Sequence, residues 1–113
     1  MNGRERENET AVVRLPAEID MSNTGQVGEE LRAAVTPGIT VVVADLTATT
    51  FCDSAGVRQF VLAHDKAAAS GAELRLAATE GAAVDRILKL IGLEQLVPLY
   101  PTVEAAVAAP REV

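Results

Sequence analysis

The sequence predicts a single α/β domain: a mixed sheet of four to five strands with about four helices packed against it. Three observations lead there. Short β-branched and aliphatic runs alternate along the chain with stretches of helical period, the pattern of strands interleaved with covering helices. Residues 40–44, Thr-Val-Val-Val-Ala, form an unbroken apolar run suited to a sheet position covered on both faces. Finally, 113 residues without internal repeat or long linker point to one core.

Gly3 to Thr10 carry alternating charges, so residues 1–10 form either a solvated arm or a first edge strand. Residues 11–15 read as a short strand. A first helix follows Ser22 or Asn23 as N-cap, places Val27, Leu31, Ala34 and Val35 on one face, and stops at Pro37-Gly38. Residues 40–44 then supply the central strand. A second helix over 54–70 groups Val57, Phe60, Val61, Ala67 and Ala68 and ends at Gly71. Residues 73–77 form a third strand through alternating Leu74 and Leu76. In the third helix, Val84, Ile87, Leu88 and Ile91 recur at i, i+3, i+4 and i+7 before Gly92. Pro98 confines the strand at 97–100 to a sheet edge. Thr102 caps a short fourth helix over 103–109, and residues 110–113 fray. The domain proper is therefore expected over 11–109.

Composition excludes several function classes. Ten Lys and Arg against sixteen Asp and Glu give a net charge of −6, which opposes binding to nucleic acid or to anionic membrane. No run approaches the roughly 20 apolar residues of a membrane span, and the first ten residues are polar where a signal peptide is apolar, so the expected location is cytoplasmic. A single Cys forbids an intrachain disulfide, and one Cys with one His builds no zinc site, so no metal or other cofactor is expected. Three aromatic residues and no Trp leave the core aliphatic.

The chemistry-bearing residues concentrate between Asp45 and Gly56, where the central strand hands over to the second helix. Asp53 or Ser54 can cap that helix, and Gly56 allows a close approach to its first turn. A plain capping turn also accounts for these residues. A serine hydrolase is not supported, because His64, the only histidine, stands ten residues from Ser54 on the same predicted helix, roughly 15 Å away, and Cys52 replaces the first Gly of a nucleophile elbow. Ala55 interrupts any Asp-Ser-Gly of an aspartic protease. Gly25 and Gly28 lack the strand that precedes a dinucleotide loop. Cys52 reads as a small buried hydrophobe, and Glu18 with Asp20 as a solvated acidic rim. At 100° per residue Arg58, Leu62, Asp65 and Ala69 lie opposite the core stripe of the second helix, which leaves Leu62 as a lone apolar side chain on a polar face.

Asp53-Ser54-Ala55-Gly56 after a Val-rich strand resembles the Asp-Ser-x-Gly signature of STAS-domain anti-sigma factor antagonists. The resemblance spans about residues 11 to 109. Ala17-Glu18-Ile19-Asp20 is similar to the family's Gly-Glu-Leu/Ile-Asp. The stretch from Val41 to Leu46 is similar to its central strand, and the stretch from Leu93 through Tyr100 to Ala106 to its closing strand and last helix. Ala17 stands in place of the usual Gly, and Val57-Arg58 in place of the commoner Leu-Gly. The resemblance implies a STAS-like fold and a protein that is substrate rather than enzyme. An ATP-dependent anti-sigma factor serine kinase would phosphorylate Ser54; the unphosphorylated form would capture that anti-sigma factor and free the sigma factor; a metal-dependent serine phosphatase would reverse the modification. The partner-binding residues expected on this reading are Asp20, Asp53, Ser54, Ala55, Gly56, Arg58 and Leu62, the last two from helical geometry. The rival reading is a STAS-like scaffold or ligand-binding module whose Ser54 is never modified.

Overall fold

Strand and helix do alternate, but the strands sort into two sheets. The computed structural model describes residues 9–111. In chain order these form β1 (Thr10–Arg14), β2 (Glu18–Ile19), α1 (Thr24–Ala33), β3 (Val41–Asp45), β4 (Phe51–Cys52), α2 (Ser54–Ala69), β5 (Glu73–Ala77), α3 (Ala83–Leu90), a 3-10 turn (Leu93–Gln95), β6 (Leu99–Tyr100) and α4 (Val103–Ala108). The main sheet has the order β1-β3-β5-β6, and β2 pairs with β4 in a separate two-stranded sheet. Every pairing among the described residues is parallel. The arm or edge strand considered for residues 1–10 falls largely on residues 1–8, outside the described residues; Thr10 belongs to β1.

The β-branched run fills the position it predicts. β3 lies between β1 and β5, with Val41 opposite Thr10 on one side and Glu73 on the other, and all five of its residues are buried. Val42 and Ala44 face the larger core with Leu74, Leu76, Val27, Leu31 and Phe60, whereas Val41, Val43 and Ala77 meet Ala106 of α4 on the opposite face. β6 is an edge strand, and Pro98 fits there because its carbonyl, not an N–H, joins the ladder by accepting from Leu76.

The limits of α2, α3 and α4 follow the local signals within a residue or two, whereas α1 ends at Ala33, short of the stop expected at Pro37-Gly38, and Ala34 and Val35 pack against the core beyond its last turn. Asn23 caps α1 without bonding its amides; its side chain accepts from the Asp20 N–H and donates to the Glu18 carbonyl, tying the helix start to β2. Gly92 ends α3 at φ 76°, a conformation in which a side chain would be strained. Thr102 caps α4 by accepting from the Ala105 N–H.

Two packing expectations are corrected. Ala68 is exposed, and Ala63 takes the inward position beside Phe60 and Ala67. On α3 only Val84 and Leu88 of the apolar stripe are buried, while Ile87 and Ile91 are 43% and 52% exposed. The periodicity identified one face of α3 correctly; the core beneath it reaches only half of that face.

Candidate functional site

β2 and β4 are only two residues long, yet their pairing builds the site. Ile19 sits opposite Cys52, and the Asp53 N–H donates to the Ile19 carbonyl at 3.1 Å. The two strands therefore release Asp20 and Asp53 side by side, next to the first turn of α2. Their anchorage continues into the preceding loop, where the Thr50 N–H donates to the Ala17 carbonyl and the Thr49 hydroxyl to that of Pro16.

Asp53 is the N-cap of α2: its backbone is extended and its carboxylate accepts from the Gly56 N–H at 3.1 Å. Ser54 is thus the first helical residue and is exposed. The amides of Ser54 and Ala55 have no acceptor among the described residues, as expected for the first turn of a helix. Two free donors and the positive end of a 16-residue helix surround the Ser54 hydroxyl.

Gly56 faces inward. A Cβ at this position would come within 2.6 Å of the Cys52 Sγ and 2.8 Å of the Ile19 Cγ2. The close approach expected at this glycine is made by the protein's own small sheet, and it presses α2 onto β2 and β4. Cys52 beneath it is half-buried, and burial, reinforced by the nearby Asp53 charge, pushes its thiol up to about 11. Cys52 is accordingly a packing residue and a poor nucleophile.

Across the small sheet, Asp20 closes a tight turn. The Ser22 hydroxyl and N–H both donate to its Oδ1 and hold its carboxyl below the ordinary range, against a smaller opposing effect of burial. Asp45 behaves differently. It is buried at the end of β3, where Oδ1 accepts from the Thr47 N–H and hydroxyl and Oδ2 lies 3.9 Å from exposed Arg14. It closes a turn in the main sheet.

Of the residues singled out in the sequence, the structure gathers Asp20, Asp53, Ser54 and Ala55 at one end of the small sheet and buries Gly56 under it. Arg58 and Leu62 follow on the solvent face of α2, with Leu62 37% exposed. His64 stands further along α2, half-buried, on the rim of a groove with Glu73, Glu94 and Arg111. Sequence reasoning passed over Met21 and Phe51, which flank the site and are 84% and 51% exposed. The available signal was their position, each one residue from a paired acidic or strand residue of the site.

No described helix is long and apolar enough to cross a membrane. The family model for the STAS domain matches residues 4–106. Among solved structures, an anti-sigma factor antagonist from Mycobacterium paratuberculosis is similar at a TM-score of 0.80 and 28% identity, with 93% of this chain and 88% of that chain covered. The anti-sigma factor antagonist SpoIIAA in its unphosphorylated form shares the fold at a TM-score of 0.69 and 22% identity, over 87% of this chain and 84% of that one. The phosphorylated form of the Bacillus cell fate determinant SpoIIAA shares it at 0.62 and 24%, over 88% of each chain.

Proposed function

Because the chain belongs to the STAS domain family, we propose that it is an anti-sigma factor antagonist switched by phosphorylation of Ser54. In the unmodified state it binds an anti-sigma factor that is also a serine kinase, through Asp20, Asp53, Ser54, Ala55 and the exposed face of α2 at Arg58 and Leu62. Gly56 contributes by holding α2 in place. The observation that carries this reading is the exposed Ser54 hydroxyl, presented at the start of α2 between Asp53 and the Asp20 turn.

In the kinase step the Ser54 oxygen attacks the γ-phosphorus of ATP, the bond to the β,γ-bridging oxygen breaks, ADP leaves, and the hydroxyl proton passes to a base of the kinase. A serine phosphatase delivers water to the same phosphorus and restores the hydroxyl with release of phosphate. The added charge of about −1.5 to −2 meets Asp53 and Asp20, but also the helix N-terminus, which returns about 0.3–2 kcal/mol. The fold therefore survives and the effect falls on docking. Moving a complex from 1:99 to 99:1 takes about 5.5 kcal/mol, more than a screened surface charge supplies. Ser54 must then be desolvated in the complex, where an unpaired dianion costs several kcal/mol.

The test is a titration of the purified anti-sigma kinase with unmodified protein, protein phosphorylated at Ser54, Ser54→Ala and Ser54→Asp. Ser54→Ala is expected to remain bound in the presence of ATP, and Ser54→Asp, with one charge, to weaken binding less than phosphate does. Equal affinity of the phosphorylated and unmodified forms would refute the switch and favour a scaffold indifferent to Ser54.

A further inference from the structure

Arg58 is exposed on α2 and makes no hydrogen bond or ion pair among the described residues. It is the only charged residue between Asp53 and His64. Side chains on a helix pair at spacings of three and four, and at those spacings Arg58 has Ser54, Ala55, Val61 and Leu62. Ser54 is therefore the one polar side chain that Arg58 meets along α2, and no carboxylate at these positions competes for it. Both residues are helical and exposed, so they stand one turn apart on the same face. The order also suits an ion pair, because the favoured arrangement places the anion four residues before the cation. The protein uses that arrangement on α3, where Asp85 and Lys89 lie 3.2 Å apart.

We propose that a phosphoryl group on Ser54 is paired within the chain by Arg58, whose guanidinium donates to the phosphate oxygens. The proposal rests on the reading of Ser54 as the modified residue. It gives phosphorylation a second effect besides the added charge: Arg58, a cation on the docking face, turns from the partner to the phosphate. The planar fork of a guanidinium matches two phosphate oxygens at once. Gly, the commoner residue at this position, offers no such group. In the unmodified chain the Ser54 hydroxyl carries no charge, and Arg58 stays available for docking.

The test uses the full chain with phosphoserine encoded at position 54 during translation, so that no kinase is needed. Phosphorus NMR follows the second ionisation of the phosphate. A cation one turn away favours the dianion and lowers the midpoint of that titration. The other charged or titratable groups around the first turns of α2 are Asp53, Asp20, Glu18 of β2, His64 further along the helix, and Arg32 of α1, which donates to Gln59 at 3.1 Å. All of them are common to every variant compared. Arg58→Ala, a change at an exposed position, should raise the midpoint by about 0.3 pH unit, the size of one exposed i,i+4 pair. Arg58→Lys should raise it less, and Arg14→Ala on β1 should leave it in place. The Arg58 Nε–H resonance should move with the phosphate titration in the phosphorylated chain and hold still over the same pH range in the unmodified one. A change below about 0.1 pH unit in Arg58→Ala, or an Nε–H resonance indifferent to the phosphate, would overturn the pairing. Neither readout involves the anti-sigma kinase, so a failed pairing is distinguishable from a failed switch, which equal partner affinity of the two forms reveals.

Discussion

Replacing Arg75 by Ala should cost the fold about 3–5 kcal/mol, the usual consequence of removing one partner from a buried charge pair. The side chain is 1% exposed on β5, yet each of its donors is used. Nε and Nη2 donate to Glu73 Oε1 at 3.0 and 2.7 Å, Nη1 donates to the Ala106 and Ala109 carbonyls at 2.7 Å each, and Nη2 donates to the Pro110 carbonyl at 3.1 Å. The guanidinium also lies 5.8 Å from the Tyr100 ring centre. Arg75 thus collects the open carbonyls at the end of α4 and fastens that helix to the sheet. Truncation strands those carbonyls and the Glu73 carboxylate together. For a chain of 113 residues, total stability is roughly 6–17 kcal/mol, so the loss is a large fraction of it. At an m value of about 1.5 kcal/mol/M the urea midpoint should fall by roughly 2–3 M. Arg75→Lys keeps the charge but loses the fork, and should recover only part of the loss. As a control, Arg14→Ala removes an ion pair whose arginine is 83% exposed and should change stability by less than about 0.5 kcal/mol. A loss below about 1 kcal/mol for Arg75→Ala would show that α4 does not depend on this clamp.

Gly56→Ala should destabilise by about 1–2 kcal/mol, overpacking against Cys52 and Ile19 outweighing the gain in helix propensity. The same change made in a Cys52→Ala background should cost at least about 0.5 kcal/mol less, and equal costs would place the strain elsewhere. Asp85 is held below the ordinary carboxylate range, first by the Gly81 N–H that donates to it at 2.9 Å, with Lys89 at 3.2 Å adding to the effect against burial. Its contribution is therefore present above the unfolded-state value near about 3.9 and is lost as pH falls through the lower folded-state value. Urea unfolding of wild type and Asp85→Asn between pH 6 and pH 2 should show their difference shrinking as acid is added; a constant difference would contradict it. With its thiol pushed up to about 11, Cys52 should react with iodoacetamide at pH 8 roughly 100-fold more slowly in the folded chain than in urea, and similar rates would mean that it is not shielded.

Much of the site was legible because its signals are local. Asp53 three residues before Gly56, at the start of a periodic apolar segment, announces a capped helix, and a cap is made within one turn. The solvent face of α2 at Arg58 and Leu62 follows from the same period. The convergence of Asp20 with Asp53 was not legible from period or spacing and entered only through the family resemblance. It depends on a pairing of two residues with two, Glu18-Ile19 with Phe51-Cys52, which is too short to leave a periodic trace and joins segments more than thirty residues apart. The role of Gly56 was half legible: its smallness pointed to a close neighbour, but the neighbour proved to be the protein itself.

What the sequence determined by itself was the order of the four helices and of the four strands of the main sheet, the limits of all of these but α1 within a residue or two, and the central place of Val41-Val42-Val43. Each of these is set by backbone preference and by which side chains share a face. The tertiary structure decided what covers each face. Leu74 and Leu76 mark one side of β5 as buried, whereas the burial of Arg75 between them depends on α4, which closes over the second side and supplies carbonyls for it. Ile87 and Ile91 repeat as regularly as Val84 and Leu88, but the core ends beneath α3 and leaves them in water. Period is a property of one segment, whereas burial depends on the second surface brought against it, and only the folded chain supplies that surface.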